Sequence, residues 1–297
     1  MKRILVTPRS LTERPHPALL RLQQAGYEPV CSTPGATPSE PELIRLVPGC
    51  VGWIAGVEPV TAAVIDAAAS LRVISRNGVG VDNLPLELLR ERGVEVLVAE
   101  GANANGVAEL ALALMLCGLR QIPQTDAAIK VGGWPRLLGA ELRARTLGVI
   151  GCGAIGAQVL RLAHAFGARL IAHDPRRPPL PELAKELQWC DLPELLARAD
   201  LVTLHCPPLA DRALIDRAAI GSIRTGALLV NTARATLVDE GAVLDALESG
   251  QLRGYATDVF AHEPPSSAAS AALAAHPRVI ATSHVGGYTR ESVDRAA

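Results

Sequence analysis

Aromatic residues make up only 3% of the 297-residue chain: two Phe, three Trp and three Tyr. That scarcity argues against a stacking platform for single-stranded nucleic acid. Neither sign of charge dominates, with 29 Lys+Arg against 30 Asp+Glu and a formal net charge of −1. The chain therefore carries no electrostatic footprint for nucleic acid or an anionic membrane. Its six cysteines, at 31, 50, 117, 152, 190 and 206, contain no Cys-x-x-Cys pair, and its seven histidines no His-x-x-x-His pair. A disulfide framework and a metal site are not expected, and a reducing cytoplasm fits best. The longest apolar stretch, 106–119, contains Glu109 and falls short of the roughly 18–20 residues that span a bilayer. The first eight residues have a short apolar run without a small-residue cleavage site, so they read as a first strand and not as a signal peptide. Internal repeats and low-complexity tracts are also missing.

Hydrophobic residues at 49% and charged residues at 20% make an ordinary globular composition. The length suggests one or two domains, at about 150 residues each. Short β-rich runs alternate with helical stretches. The expected strands are 3–7, 51–55, 72–75, 94–98, 146–150, 169–173, 201–205, 227–231, 255–259 and 278–282. Several are continuously apolar, as in strands buried on both faces. Expected helices include 181–187, 192–198 and 240–249, and a long one from 105 to about 119, apolar on nearly every face, which suits burial between domains or in a subunit contact. Segment 266–275 reads as a loop with a weak helix. This alternation implies right-handed βαβ units and parallel sheets. Ten strands exceed a usual open sheet, so two sheets are expected, with the first boundary near residue 100.

The strongest motif is Gly151-Cys152-Gly153-Ala154-Ile155-Gly156, between the strand 146–150 and an expected helix 157–166. Gly151 permits the tight turn, Gly153 lets backbone approach a pyrophosphate, and Gly156 lets helix and strand pack closely. The helix N-terminus, with Ala154 and Ile155, offers N–H groups to phosphate. Asp174 stands 18 residues after Gly156, at the end of the next strand, where an acid accepts the ribose hydroxyls of NAD. Arg176 and Arg177 follow; a nearby Arg can accommodate the 2′-phosphate of NADP, or both can be solvated loop charges. The expected cofactor is NAD.

Three polar residues follow later strands. Arg234 comes just after 227–231, Glu263 after 255–259, and His284 after 278–282. Ligands of open parallel sheets bind outside the carboxyl ends of the strands, so the three would converge there. Arg clamps a carboxylate bidentately. His moves a proton near neutral pH, and a carboxylate beside a His holds its tautomer and favours its charged form. Singly, each has a plain structural reading; beside a dinucleotide fingerprint they form a catalytic constellation.

These segments resemble the D-isomer-specific 2-hydroxyacid dehydrogenases over nearly the whole chain. Segment 146–174 resembles their cofactor-binding half. Asn231-Thr232-Ala233-Arg234 with Val238-Asp239-Glu240 resembles the catalytic-arginine motif, Asp258-Val259-Phe260-Ala261-His262-Glu263-Pro264 the glutamate motif, and Ser283-His284-Val285-Gly286-Gly287 the histidine motif. Asn77-Gly78-Val79-Gly80-Val81-Asp82-Asn83 is similar to the loop that holds the substrate carboxylate, and 103–109 to the start of the interdomain helix. Ser75-Arg76-Asn77-Gly78 and Glu58-Pro59-Val60-Thr61 are similar to the phosphoglycerate dehydrogenase-like branch.

The resemblance implies an α/β fold of two Rossmann-like doubly wound parallel-sheet domains with a cleft between them. Residues 1–100 and 283–297 would form the substrate-binding domain and 101–282 the NAD-binding domain. It also implies a homodimer formed through the cofactor domains. Arg234, Glu263 and His284 would be catalytic. Gly151, Gly153, Ala154, Ile155, Gly156, Asp174, Cys206, Pro207, Thr232, Ala233 and Asp258 would bind the cofactor, with Asp258 at the nicotinamide. Arg76, Asn77, Gly78, Val79 and Gly80 would bind the substrate. The sequence departs from the family pattern at Ala235, usually Gly, at Pro208-Leu209-Ala210-Asp211, which lacks the usual Thr residues, and at Ile54-Ala55-Gly56, which lacks a phosphate-binding Arg. The chain reaches Ala297 partway into an expected helix. The expected activity is NAD-dependent interconversion of a 2-keto acid and a D-2-hydroxy acid, with His284 as acid/base. The alternatives are an NADP-linked glyoxylate or hydroxypyruvate reductase and a nucleotide-sensing, corepressor-like binding protein.

Overall fold

The computed structural model describes all 297 residues. It contains twelve strands: β1 (Lys2–Val6), β2 (Tyr27–Cys31), β3 (Cys50–Ala55), β4 (Val73–Arg76), β5 (Glu95–Val98), β6 (Thr146–Ile150), β7 (Arg169–His173), β8 (Leu187–Trp189), β9 (Leu201–Leu204), β10 (Ala227–Asn231), β11 (Leu252–Thr257) and β12 (Val279–Ala281). All pair in parallel, in two sheets. The order β2-β1-β3-β4-β5 makes a five-stranded sheet, and β12-β11-β10-β9-β6-β7-β8 a seven-stranded one. Both are doubly wound, the second in the strand order of dinucleotide-binding folds.

Two compact units result, Met1–Asn103 with Thr289–Ala297, and Ala104–Tyr288. The second crossing lies six residues beyond the expected 282/283. The reason is local: the N–H groups of His284, Val285 and Gly286 all donate to Asp258, which holds this segment to β11. The first unit packs Leu5, Trp53, Ile74 and Leu89 into one core. In the second, strand alternation deals neighbouring side chains to opposite faces. Leu147, Val149, Leu228 and Val230 join one core with Met115 and Leu119, while Ile150, Leu204, Leu229 and Tyr255 join the other. Each fully buried Leu or Ile contributes about 1.5–3 kcal/mol. The long helix, Ala104–Arg120, belongs to the first of these cores, and so is a core helix of the second unit. No single helix is long and apolar enough to cross a membrane.

Several expected elements differ. Strands β2 and β8 lie outside the expected set; both are edge strands. β2 contains Pro29, tolerable because an edge strand need not donate on both sides. The expected helix at 181–187 is a single 3-10 turn, Pro181–Leu183, followed by β8. The helix expected to begin at 157 begins at Ala154, inside the glycine motif. An unexpected helix, Ile122–Lys130, follows a break at Gln121, whose φ is 52°. Segment 266–275 is helical over Ala268–Ala275, capped by Ser267.

Candidate active site

At the end of β6 the chain turns through Gly151, with φ +86°, where a Cβ would lie 2.6 Å from the backbone N of Cys206. At Gly156 a Cβ would lie 1.9 Å from Gly151 O, so only glycine fits. Gly153 has nothing within 4 Å of its Cβ position. It precedes the helix Ala154–Ala165 and offers no side-chain cap. The N–H groups of Ala154, Ile155 and Gly156 have no intrahelical acceptor, and the open space at Gly153 lets a pyrophosphate reach them. Cys152 points inward, and burial, with Asp174 nearby, pushes its thiol up to about 12.

Asp174, at the end of β7, is buried. Its Oδ2 accepts from Cys152 N at 2.8 Å and its Oδ1 from Arg176 N at 2.8 Å. Burial opposes the charge, but these two N–H groups, with Arg176 and His173, outweigh it and hold the carboxyl below its ordinary value. Each oxygen keeps a lone pair for a ribose hydroxyl. Beyond β9, His205 shares a hydrogen bond between Nε2 and Thr203 Oγ1 (2.9 Å), and burial pushes it down to about 3, so it is neutral. His205 Nδ1 and, beyond β10, Thr232 Oγ1 are buried without partners. Cys206, Pro207 and Ala233 line the same carboxyl edge of the sheet. Open glycine, uncapped helix end, buried acid and two orphaned polar atoms on one edge fit a dinucleotide.

The polar triad stands on this edge too. Asn231, buried at the end of β10, donates from Nδ2 to Arg234 O (2.9 Å) and accepts from Ala233 N (3.0 Å), which fixes the backbone that carries Arg234. Arg234 Nη1 donates to Ala233 O at 2.8 Å. Glu263 and His284 are brought together, with Nδ1 of the imidazole 2.8 Å from Glu263 Oε2. Phe260 N anchors the other carboxylate oxygen at 3.2 Å. Both side chains are about half exposed, at 51% and 40%, so the ring remains reachable. A donor at Nδ1 leaves Nε2 for a substrate. His284 has a left-handed φ of 55°.

Asp258 stands just beyond β11. It is 2% exposed, and its carboxylate accepts from Thr282 Oγ1 (2.5 Å), Val285 N (2.9 Å) and Gly286 N (2.8 Å). Asp258 O accepts from His284 N at 2.9 Å. The residue braces the loop that carries His284.

In the first unit, Arg76 ends β4 and is 8% exposed, with Nη1 donating to Asn77 O at 2.9 Å. Asn77 N donates to Ala55 O at 2.9 Å, and its side-chain Nδ2 is buried without a partner. Gly78 adopts φ +148°, Val79 is exposed and Gly80 partly so.

Residues 112–286 match the family model described as D-isomer specific 2-hydroxyacid dehydrogenase, NAD binding domain. The chain belongs to the D-isomer specific 2-hydroxyacid dehydrogenase family. A Thermotoga maritima protein named hydroxypyruvate reductase is 37% identical over 86% of this chain and 83% of its own length. A rat protein named D-3-phosphoglycerate dehydrogenase is 39% identical over 86% of this chain and 48% of its own. The chain thus spans about half the length of that relative. A crystal structure of a Thermus thermophilus protein superposes with a TM-score of 0.87 and 37% identity, covering 99% of this chain and 93% of that one.

For this dehydrogenase chain, sequence reasoning misses the supporting residues. Asn231 reads only as part of a motif, and Thr282 and Thr203 carry no signal at all. His205 follows an apolar strand and precedes Cys206-Pro207; that position at a strand end is its only signal. Glu240 lies within the arginine motif, yet its carboxylate ties the glutamate loop, accepting from Ala261 N (2.9 Å) and Ser270 Oγ (2.6 Å).

Proposed function

We propose that this dehydrogenase reduces small 2-keto acids to D-2-hydroxy acids, and runs the reverse, with Arg234, Glu263 and His284 at the reacting centre. The observation that carries this reading is the 2.8 Å contact between Glu263 and His284 on the edge that also bears the glycine loop. NAD(H), bound along that loop, supplies or accepts the hydride. The Arg234 fork binds the substrate's carboxylate and carbonyl oxygen and stabilises charge that develops on the latter. His284 gives a proton from Nε2 to the carbonyl oxygen in reduction and takes it from the hydroxyl in oxidation. It must therefore start protonated in one direction and neutral in the other. Glu263 fixes the ring through Nδ1. In the first unit, the loop from Asn77 to Gly80, with Arg76, is the proposed carboxylate-binding element, through its backbone N–H groups.

Asp174 favours NAD(H), since its carboxylate would repel a 2′-phosphate; Arg176 and Arg177 supply the opposing case for NADP(H). The name of the Thermotoga relative puts hydroxypyruvate among the first acids to try. A second copy is the proposed partner. Segment 122–138 exposes Ile122, Val131 (85%), Trp134 (81%) and Leu138 (93%), an apolar face suited to a homodimer contact. Six free cysteines suit a cytoplasmic setting.

The test is a screen of the purified protein against 2-keto acids with NADH and with NADPH, read by loss of reduced-nicotinamide absorbance. Turnover with NADH at least roughly tenfold better in kcat/KM, about 1.4 kcal/mol, is expected. NADH binding without turnover of any acid would favour the corepressor-like alternative. Equal use of NADPH would show that the two arginines dominate the ribose pocket.

A further inference from the structure

The loop that carries Glu263 has little packing of its own. Phe260 joins a core, but Ala261, His262, Glu263 and Pro264 are all exposed. A carboxylate on another element reaches across to it. Glu240 opens the helix Glu240–Ser249, which follows β10 and the single turn Ala235–Leu237. That base is firm. Leu237 is fully buried, Ile215 N donates to Leu237 O (2.9 Å), Asp239 N donates to Ile215 O (3.1 Å), and the Asp239 side chain caps the helix at Ala242 N (2.9 Å). From this base Glu240 Oε1 accepts from Ala261 N at 2.9 Å. The preceding amide, Phe260 N, donates to Glu263 Oε1 at 3.2 Å. Successive N–H groups thus serve the two carboxylates, one fixing the Glu263 side chain and the next fixing its loop.

The other oxygen of Glu240 holds the far end of the loop. Glu240 Oε2 accepts from Ser270 Oγ at 2.6 Å, in the helix Ala268–Ala275. A carboxylate only accepts, so Ser270 spends its one hydroxyl proton there. The 2.9 Å contact between Ser267 Oγ and Ser270 Oγ must then be donated by Ser267, which itself accepts from Ser270 N at 3.2 Å. The chain of donors runs one way and ends on Glu240. One carboxylate on a firm base therefore grips the exposed loop at its entry, Ala261, and beyond its exit, Ser270.

We propose that Glu240 is a positioning residue for the proton transfer: by gripping the loop at Ala261 and Ser270 it holds Glu263 where that carboxylate fixes the His284 ring. This rests on the roles given above to Glu263 and His284. Glu240 acts through Glu263 alone, so its loss lowers the fraction of enzyme with the ring in place. Binding of the acid and of NADH does not depend on it.

The experiment assays the parent, Glu240→Ala, Glu240→Gln and Ser270→Ala, each alone and combined with Glu263→Ala, on the 2-keto acid that the parent reduces best with NADH. NADH affinity and melting temperature are measured alongside. Glu240→Ala should lower kcat by ~10–30-fold, the effect of losing a charge-assisted hydrogen bond that holds the loop, with KM and NADH affinity nearly unchanged. Glu240→Gln should recover kcat to within about threefold of the parent, because its amide oxygen still accepts from Ala261 N and its NH2 group can donate to Ser270 Oγ. With Glu263→Ala already present, Glu240→Ala should cost less than about a further twofold, since nothing is left to position. Ser270→Ala should lower kcat several-fold and lose that effect in the same background, a readout that stands even where Glu240→Ala fails to fold. The full loss persisting beside Glu263→Ala, or a change confined to KM, overturns the inference while leaving the 2-keto acid reading in place. A Glu263→Ala enzyme as fast as the parent, or a parent that turns over no 2-keto acid, overturns the reading itself, and this inference with it.

Discussion

Replacing Asp258 with Asn exchanges one carboxylate oxygen for an NH2 group at a site that meets three donors and no space. One amide oxygen can still accept from Thr282 Oγ1 and Val285 N, but the NH2 then faces Gly286 N, now 2.8 Å from the Asp258 Oδ2 position. A hydrogen bond to a charged group, about 1.5–3 kcal/mol, becomes a donor–donor contact. The loop can ill spare it, because His284 holds a left-handed backbone at φ 55°, which costs a non-glycine residue roughly 1–2 kcal/mol. A loss of about 2–3 kcal/mol in holding this loop lowers the population with His284 in place by ~30–150-fold. Asp258→Asn should thus lower kcat/KM for keto-acid reduction by that factor. NADH affinity, read by fluorescence titration, should change far less, and the melting temperature should fall only modestly. A kcat/KM within threefold of the parent would refute the argument that Asp258 acts through the His284 loop.

Gly156→Ala drives a Cβ to 1.9 Å from Gly151 O; a melting temperature lower by about 6 °C or more and no NADH binding are expected, and a normally melting, NADH-binding variant would contradict the tight turn. Brief iodoacetamide treatment near pH 8 should label the exposed Cys31 and spare Cys152, whose thiol is pushed up to about 12, as read by peptide mass spectrometry; rapid labelling of Cys152 in folded protein would contradict its burial. The folded Asp174 carboxyl is held below its ordinary value, so its ionisation stabilises the fold above the unfolded value of about 3.9, and that stabilisation is lost as pH falls through the lowered one. The melting temperature of the parent should therefore fall more steeply in acid than that of Asp174→Asn; parallel curves would contradict the two N–H contacts.

What is legible in the sequence is what local chemistry dictates. The glycine motif, the buried runs of β6, β9 and β10, and Asp174 at a strand end carry their own signatures. Glu263 and His284, 21 residues apart, are legible as a pair because each follows a strand of one parallel sheet and so falls on its carboxyl edge. The edge strands β2 and β8 are not, because Tyr27–Cys31 and Leu187–Trp189 lack continuous apolar runs and owe their structure to a neighbouring strand. The bracing role of Asp258 is not legible for a related reason. Its partners, Thr282, Val285 and Gly286, lie 24 to 28 residues away, and nothing in its own segment points to them. Glu58 is legible only as part of Glu58-Pro59-Val60-Thr61, because Thr7, whose hydroxyl donates to it, lies 51 residues away.

The most direct measurement of the central claim is the rate and handedness of product formed from hydroxypyruvate and other 2-keto acids with NADH, by the parent and by His284→Ala, with products resolved by chiral chromatography. The parent should form the D-2-hydroxy acid, and His284→Ala should bind NADH equally while turning over ~10²–10⁴-fold more slowly. An L product, or a His284→Ala enzyme as fast as the parent, would contradict the account.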